Sequence, residues 1–264
     1  MRRTVALTTL GFALVATVAS AQDMMRDVDL TSPAMVSAEM SRQEVEAVLA
    51  KAGAGAPADF TGTRLSGLDL SGLDLSRSVL RAARLNKTKL SGARLDRAIL
   101  DQAWLLDADL TGASLKDANL FATQMARAHL DGADLTGAHI AADLSGASLV
   151  GASIADAHLG ADMRNQSMGL MRAVLRSANL ERLNARNADL SRVDLEFASL
   201  RGADLTGASL RNAQLGGADL TGATVIDTDF EGADLASARL IAPIGLDRAK
   251  NFDKAKNSER LIRQ

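Results

Sequence analysis

Few residues in this chain have the chemistry to act on anything. Cysteine is absent, which removes disulfides, thiolate nucleophiles, Cys-ligated zinc and a lipidated N-terminal cysteine together. The histidines are His129, His139 and His158. An imidazole can move a proton near neutral pH or ligate a metal, but structural zinc takes four ligands and catalytic zinc usually three. His139 and His158 alone therefore fall short of either. Met163, Met168 and Met171 stand close behind them and would complete a soft-donor copper set. The plainer reading is surface histidine beside methionine that fills an irregular core. Asp109, Asp134, Asp204 and Asp219 could be paired as acid and base, yet they read better as solvated turn formers. No G-x-S-x-G elbow, HExxH pair or phosphate-cradling loop is present. The expectation is no catalysis, no cofactor and no metal.

What would hold such residues in place is a pattern of fives. Residues 203–223 read ADLTGASLRNAQLGGADLTGA, with leucine at 205, 210, 215 and 220 and alanine two places before each. A helix repeats near 3.6 and a strand at 2, so neither would gather these leucines on one face. The chain must turn once per unit. Leu65, Leu70, Leu110, Leu205, Leu210 and Leu220 are predicted core, with the alanines beside them. Four units, each bending the chain about a quarter turn, close a square of 20 residues. The next coil then stacks at about 4.8 Å, and residues 60–240 make a rod about 43 Å long. One coil buries too little to stand alone, so stability comes from stacked neighbours.

The rhythm runs from Phe60 to Ile140 and continues after one deletion at Leu144, Leu149, Ile154 and Leu159. One inserted residue in 160–166 then lets it resume at Leu170 and hold to Leu240, so that the two slips cancel. With the deletion counted, His139 and His158 stack on one outer face, one coil apart, and His129 lies on the opposite face.

These units, together with SGLDLSGLDL near the start, resemble the pentapeptide-repeat family with its A-(D/N)-L-x-x pattern, over roughly residues 58–242. The resemblance implies an all-β fold, a right-handed quadrilateral β-helix. It implies no single function, because the repeat builds the fold and carries no chemistry. Some members of the family mimic a DNA duplex and bind a topoisomerase. That role asks for a cytoplasmic location and a strongly acidic surface.

Neither is expected here. Arg2 and Arg3, an apolar stretch from Val5 to Val18 and Ala19-Ser20-Ala21 make residues 1–21 a secretory signal peptide, cleaved before Gln22. Without those two arginines, 28 basic residues face 32 acidic ones. The mature chain is expected in the periplasm or secreted, with no membrane span. Nucleic acid is not an expected partner either, since no basic patch is interleaved with aromatics.

Residues 22–57 differ in composition from the repeats. Ser41 and Glu44 form a capping box for an amphipathic helix over about 41–52, a sensible cover for the first coil. Residues 243–264 lose the rhythm and are expected to form an irregular coil plus a short helix covering the other end. The alternative is that one end pairs with a second copy.

Aromatics are only 3% of the chain, with one tryptophan. Apolar residues at outward places therefore stand out: Ile99, Trp104, Leu106 and Phe121 are predicted to form a patch around one edge of the rod, with Val79 below Ile99. The reading that results is an exported, non-enzymatic scaffold whose partner is an unidentified envelope or extracellular protein. A periplasmic metal-binding protein resting on His139 and His158 is the alternative.

Overall fold

A computed structural model describes residues 29–53, 56–161 and 171–263. The predicted signal peptide, Met163, Met168 and Leu170 lie outside the described residues.

Each five-residue unit contributes one inward leucine, one inward alanine and a corner. The leucine carbonyl accepts from the amide of the next small residue, as in Ala83 N to Leu80 O at 3.1 Å, which closes a turn around two corner residues. The second corner residue has positive φ, as at Gly72 (69°) and, with a side chain, Ala82 (52°). Glycine adopts this conformation without penalty. Elsewhere it is borne by Arg, Asp, Asn and even Phe197.

The residue between alanine and leucine faces outward and pairs with the coil above and below. One side of the rod is the parallel column Asp59, Val79, Ile99, Asn119, His139, His158, Asp189, Ser209, Asp229 and Lys250. The second side begins Arg64, Arg84, Trp104, the third Asp69, Lys89, Asp109, and the fourth Asp74, Arg94, Ser114. The first column therefore spans nine steps, a length of about 43 Å at strand spacing. The interior is mostly aliphatic packing: Leu65, Leu70, Leu110, Leu205, Leu210 and Leu220 are fully buried, and so are Ala83, Ala93 and Ala103.

The slip in register differs from the expected one. Coils are 20 residues apart up to Asn119↔His139, then 19 at His139↔His158, then 31 at His158↔Asp189. Leu159 O accepts from Ala173 N at 3.0 Å, the bond that closes every ordinary corner. Thirteen residues, 160–172, thus separate the ends of this corner where other corners have two, and the described repeat continues from Ala173 and Leu175; Leu170 lies outside the described residues. The excess over a coil is eleven residues, and eleven leaves the same remainder as one when counted in fives. The leucine spacing therefore looks restored although the connection is ten residues longer than a slip of one would make it. Every later unit stands on the side opposite to the one that continuous counting gives.

The ends are built differently from each other. Helix α1 (Pro33–Val36) and helix α2 (Arg42–Lys51) precede the first coil. Ser41 and Glu44 make the reciprocal capping box, Val45 is fully buried in the core cluster, and Val48, Leu49 and Ala52 pack against it. Among its described residues the C-terminal stretch forms the expected irregular coil but no α-helix. It is one more coil built of six-residue units, with Ile244, Lys250, Lys256 and Ile262 pairing to the coil below. Each of its corners is a short 3-10 turn: Leu246–Arg248, Phe252–Lys254 and Ser258–Arg260. The reason is legible in LDRAKN, FDKAKN and SERLIR, residues 246–263, a repeat of six. Gly245, Asn251 and Asn257 supply the left-handed residue that starts each turn. The Asn251 and Asn257 amides donate to Asp229 and Asp234 of the last five-residue coil, at 2.8 and 2.7 Å.

Candidate functional site

The outward aspartates are builders of corners. Asp109, Asp134, Asp204 and Asp219 each accept, through one carboxylate oxygen, the amide of the residue two places on, at 2.9–3.0 Å. That bond fixes the first corner residue and explains the acidic place in the repeat. Burial alone would raise the Asp219 carboxyl. The hydroxyl and amide of Thr221 and the Arg201 guanidinium outweigh burial and hold it below the usual range. The Ser76 amide donates to Asp74 in the same way, at 3.0 Å. Cations from the neighbouring coil neutralise many of these groups: Arg186 reaches Asp204, Arg201 reaches Asp219 and Arg211 reaches Asp229, at 3.0–3.1 Å. Such alternation is unlike the uniformly acidic surface of a duplex mimic.

The predicted apolar patch is partly assembled. Val79, Ile99 and Trp104 are outward on the first and second sides and half-buried, with Ile99 one rung above Val79. Phe121 lies on the corner between those sides, where its carbonyl accepts from Gln102 N at 2.8 Å. Leu106 does not belong to the patch. It is 4% exposed, at the corner between the second and third sides, stacked with buried Asn86 and Ala126. The cause is the N-terminal arm. Asn86 donates through its side-chain amide to Met35 O at 3.1 Å and accepts from Leu106 N at 3.0 Å, so that α1 is held at this corner. Glu39 continues the contact, its amide donating to Arg64 O and its carboxylate accepting from Arg64 N, both at 2.9 Å. Counting in fives gives Leu106 an outward place but carries no signal for an arm laid across it. Asn86, missed by sequence reasoning, is a polar residue at a buried corner, and nothing in the repeat marks it.

His139 and His158 come together as expected, with ring centroids 4.9 Å apart and planes at 20°. Both are exposed, and His129 is on the opposite side. Met171 is half-buried. Among the described residues no three His, Cys, Asp or Glu side chains converge on a common point, and no helix is long and apolar enough to cross a membrane.

A sequence model of pentapeptide repeats matches in eight copies over residues 58–123 and 170–236. The chain belongs to the pentapeptide-repeat family, whose fold is the right-handed quadrilateral β-helix. It is similar to HetL, a pentapeptide-repeat protein involved in heterocyst differentiation regulation in the cyanobacterium Nostoc sp. strain PCC 7120. The two share 29% identity over 75% of this chain and 82% of HetL, with a TM-score of 0.66. QnrB1, a plasmid-mediated fluoroquinolone resistance protein, is matched at 20% identity over 72% of this chain and 89% of that one, with a TM-score of 0.36. No curated protein matches the chain.

Proposed function

We propose that the protein is an exported, non-enzymatic scaffold that binds an envelope or extracellular protein through the corner between its first two sides. The observation that carries this reading is the cluster of Ile99, Trp104 and Phe121 at outward and corner places, which the rest of the rod gives mostly to Asp, Asn, Ser, Thr and Arg. Aromatic anchors on a rigid frame lose little entropy on binding, and tryptophan is enriched among residues that dominate interfaces. Export is supported by the basic pair Arg2 and Arg3, the short apolar run and the small-residue cleavage site. It places the mature chain, from Gln22, in the periplasm or outside the cell. In this reading α2 plugs one end of the core and the six-residue coil closes the other. The role in differentiation regulation ascribed to HetL is compatible with a scaffold.

Affinity capture from envelope extract tests the proposal, comparing wild type with Trp104→Asp after circular dichroism has shown both folded. A protein retained by wild type and lost by the variant supports it. An identical captured set from both, or none from either, overturns it. A purified protein at twice the monomer mass would point instead to a second copy joined through one end of the rod.

A further inference from the structure

The first side of the rod carries a second feature, one coil above Asn119. His139 and His158 occupy consecutive rungs, and the ladder bonds around them fix both backbones. His139 N donates to Ala118 O at 2.9 Å and His158 N to Ala138 O at 2.9 Å, while their carbonyls accept from Leu120 and Ile140 at 2.8 Å. Their ring separation of 4.9 Å is therefore set by the rung spacing, about 4.8 Å. Two nitrogens bound side by side to one metal, each at about 2.0–2.1 Å, stand about 3 Å apart. Rotation about the two side-chain bonds of each exposed ring covers that difference with no movement of the backbone.

The surroundings favour a cation. Between Asp59 and Asp229 the outward residues of this side are Val79, Ile99, Asn119, the two histidines, Asp189 and Ser209, with no lysine or arginine. The corner residues before each histidine, Thr136, Gly137, Ala155 and Asp156, carry no positive charge; Arg172, in the corner after His158, donates to Gln214 at 3.2 Å, and Arg186, on the coil above Asp156, is paired with Asp204 at 3.0 Å. Asp189, one rung above His158, has one carboxylate oxygen engaged by Ser191 N at 2.9 Å and adds negative charge.

We propose that His139 and His158 form a two-nitrogen surface site for a borderline transition-metal dication, with Cu2+ preferred over Ni2+ and Zn2+ by the usual order of stability. Among the described residues no third His, Cys, Asp or Glu side chain converges there. This site is separate from the Trp104 patch, and neither proposal depends on the other.

Titration of the full mature protein with Cu2+, followed by calorimetry and by electron paramagnetic resonance, tests it. Wild type should bind one tight equivalent whose spectrum reports two nitrogen donors. His139→Ala and His158→Ala should each weaken binding at least tenfold, because losing either ring loses the chelate. The double variant should be little weaker than either single one, and His129→Ala should match wild type. Cu2+ should raise the melting temperature of wild type and of His129→Ala only, since it binds the folded pair. Tight binding that survives both single substitutions, or a spectrum with one nitrogen donor in wild type, overturns the proposal. No tight binding by wild type overturns it equally.

Discussion

The side chain of Asn86 holds Met35 O and Leu106 N at once, at 3.1 and 3.0 Å, and so fastens the N-terminal arm to a corner of the rod. Both of its bonds are made within a site that is 7% exposed. Replacing it with leucine leaves a buried carbonyl and a buried amide without partners, a cost of about 1–3 kcal/mol for each. Asn86→Leu should therefore loosen residues 29–40 before it unfolds the rod. Limited proteolysis checks this: cleavage within 29–40 should accelerate while the repeats stay resistant. Equal rates for variant and wild type would show that the arm is held elsewhere.

Leu205 occupies a vulnerable place in the core. Through Asn184↔Asp204↔Thr224 it stacks between Ala185 below and Val225 above, and the Thr228 hydroxyl donates to its carbonyl at 2.7 Å. Ala185 is the one small residue in that run of large centres. Leu205→Ala would put two alanines in succession and open a cavity that neighbours cannot fill. The expected loss is about 4–5 kcal/mol, the upper part of the range for such truncations. Adding Ala185→Leu should return part of it. Denaturant unfolding of the single and double variants decides, and strictly additive losses would contradict the stacking.

The corner after Leu159 predicts a tolerant deletion. Removing residues 161–171 joins Leu159, Gly160, Arg172 and Ala173 into a corner of ordinary length. Shortening the connection lowers its closure entropy by roughly 1–2 kcal/mol. The shortened protein should keep the circular dichroism of wild type and unfold at an equal or higher denaturant midpoint. Loss of the cooperative transition would mean that the coil depends on the removed residues.

Acid should weaken the rod. The Thr61 side chain and amide hold the Asp59 carboxyl low, and the Arg127 guanidinium does so for Asp107. Carboxyls lowered in the folded state contribute stability that is present above their unfolded pKa and lost as pH falls through the folded value. Stability measured by urea unfolding should thus be level from pH 7 to 5 and decline below about pH 4. A protein that gains stability on acidification through that window would show that these turn bonds contribute nothing.

Much of this architecture is legible in the sequence because one position in five repeats a single packing decision. Leu65 to Leu220 declare the interior, and the alanines declare how close the walls stand. The stacking of His139 on His158 follows from counting alone. Two things escape such counting. A repeat read in fives cannot separate an insertion of one residue from an insertion of eleven, so residues 160–172 look like a small slip. Contacts made by segments outside the repeat obey no period, and the burial of Leu106 beneath the arm at Met35 is one of them. The terminal coil was within reach, since LDRAKN and FDKAKN differ in only two places. Its period of six is hidden from a search tuned to five.

In the proposed function a partner meets the rod at Trp104 and the corner beside it. Photo-crosslinking in intact cells tests it most directly, with a photoreactive phenylalanine analogue at position 104 and, on the opposite side of the rod, at the neighbouring-coil position 94. A discrete adduct with another envelope or extracellular protein is expected from position 104 and none from position 94. Adducts of equal yield from both positions, or none from position 104, would contradict it.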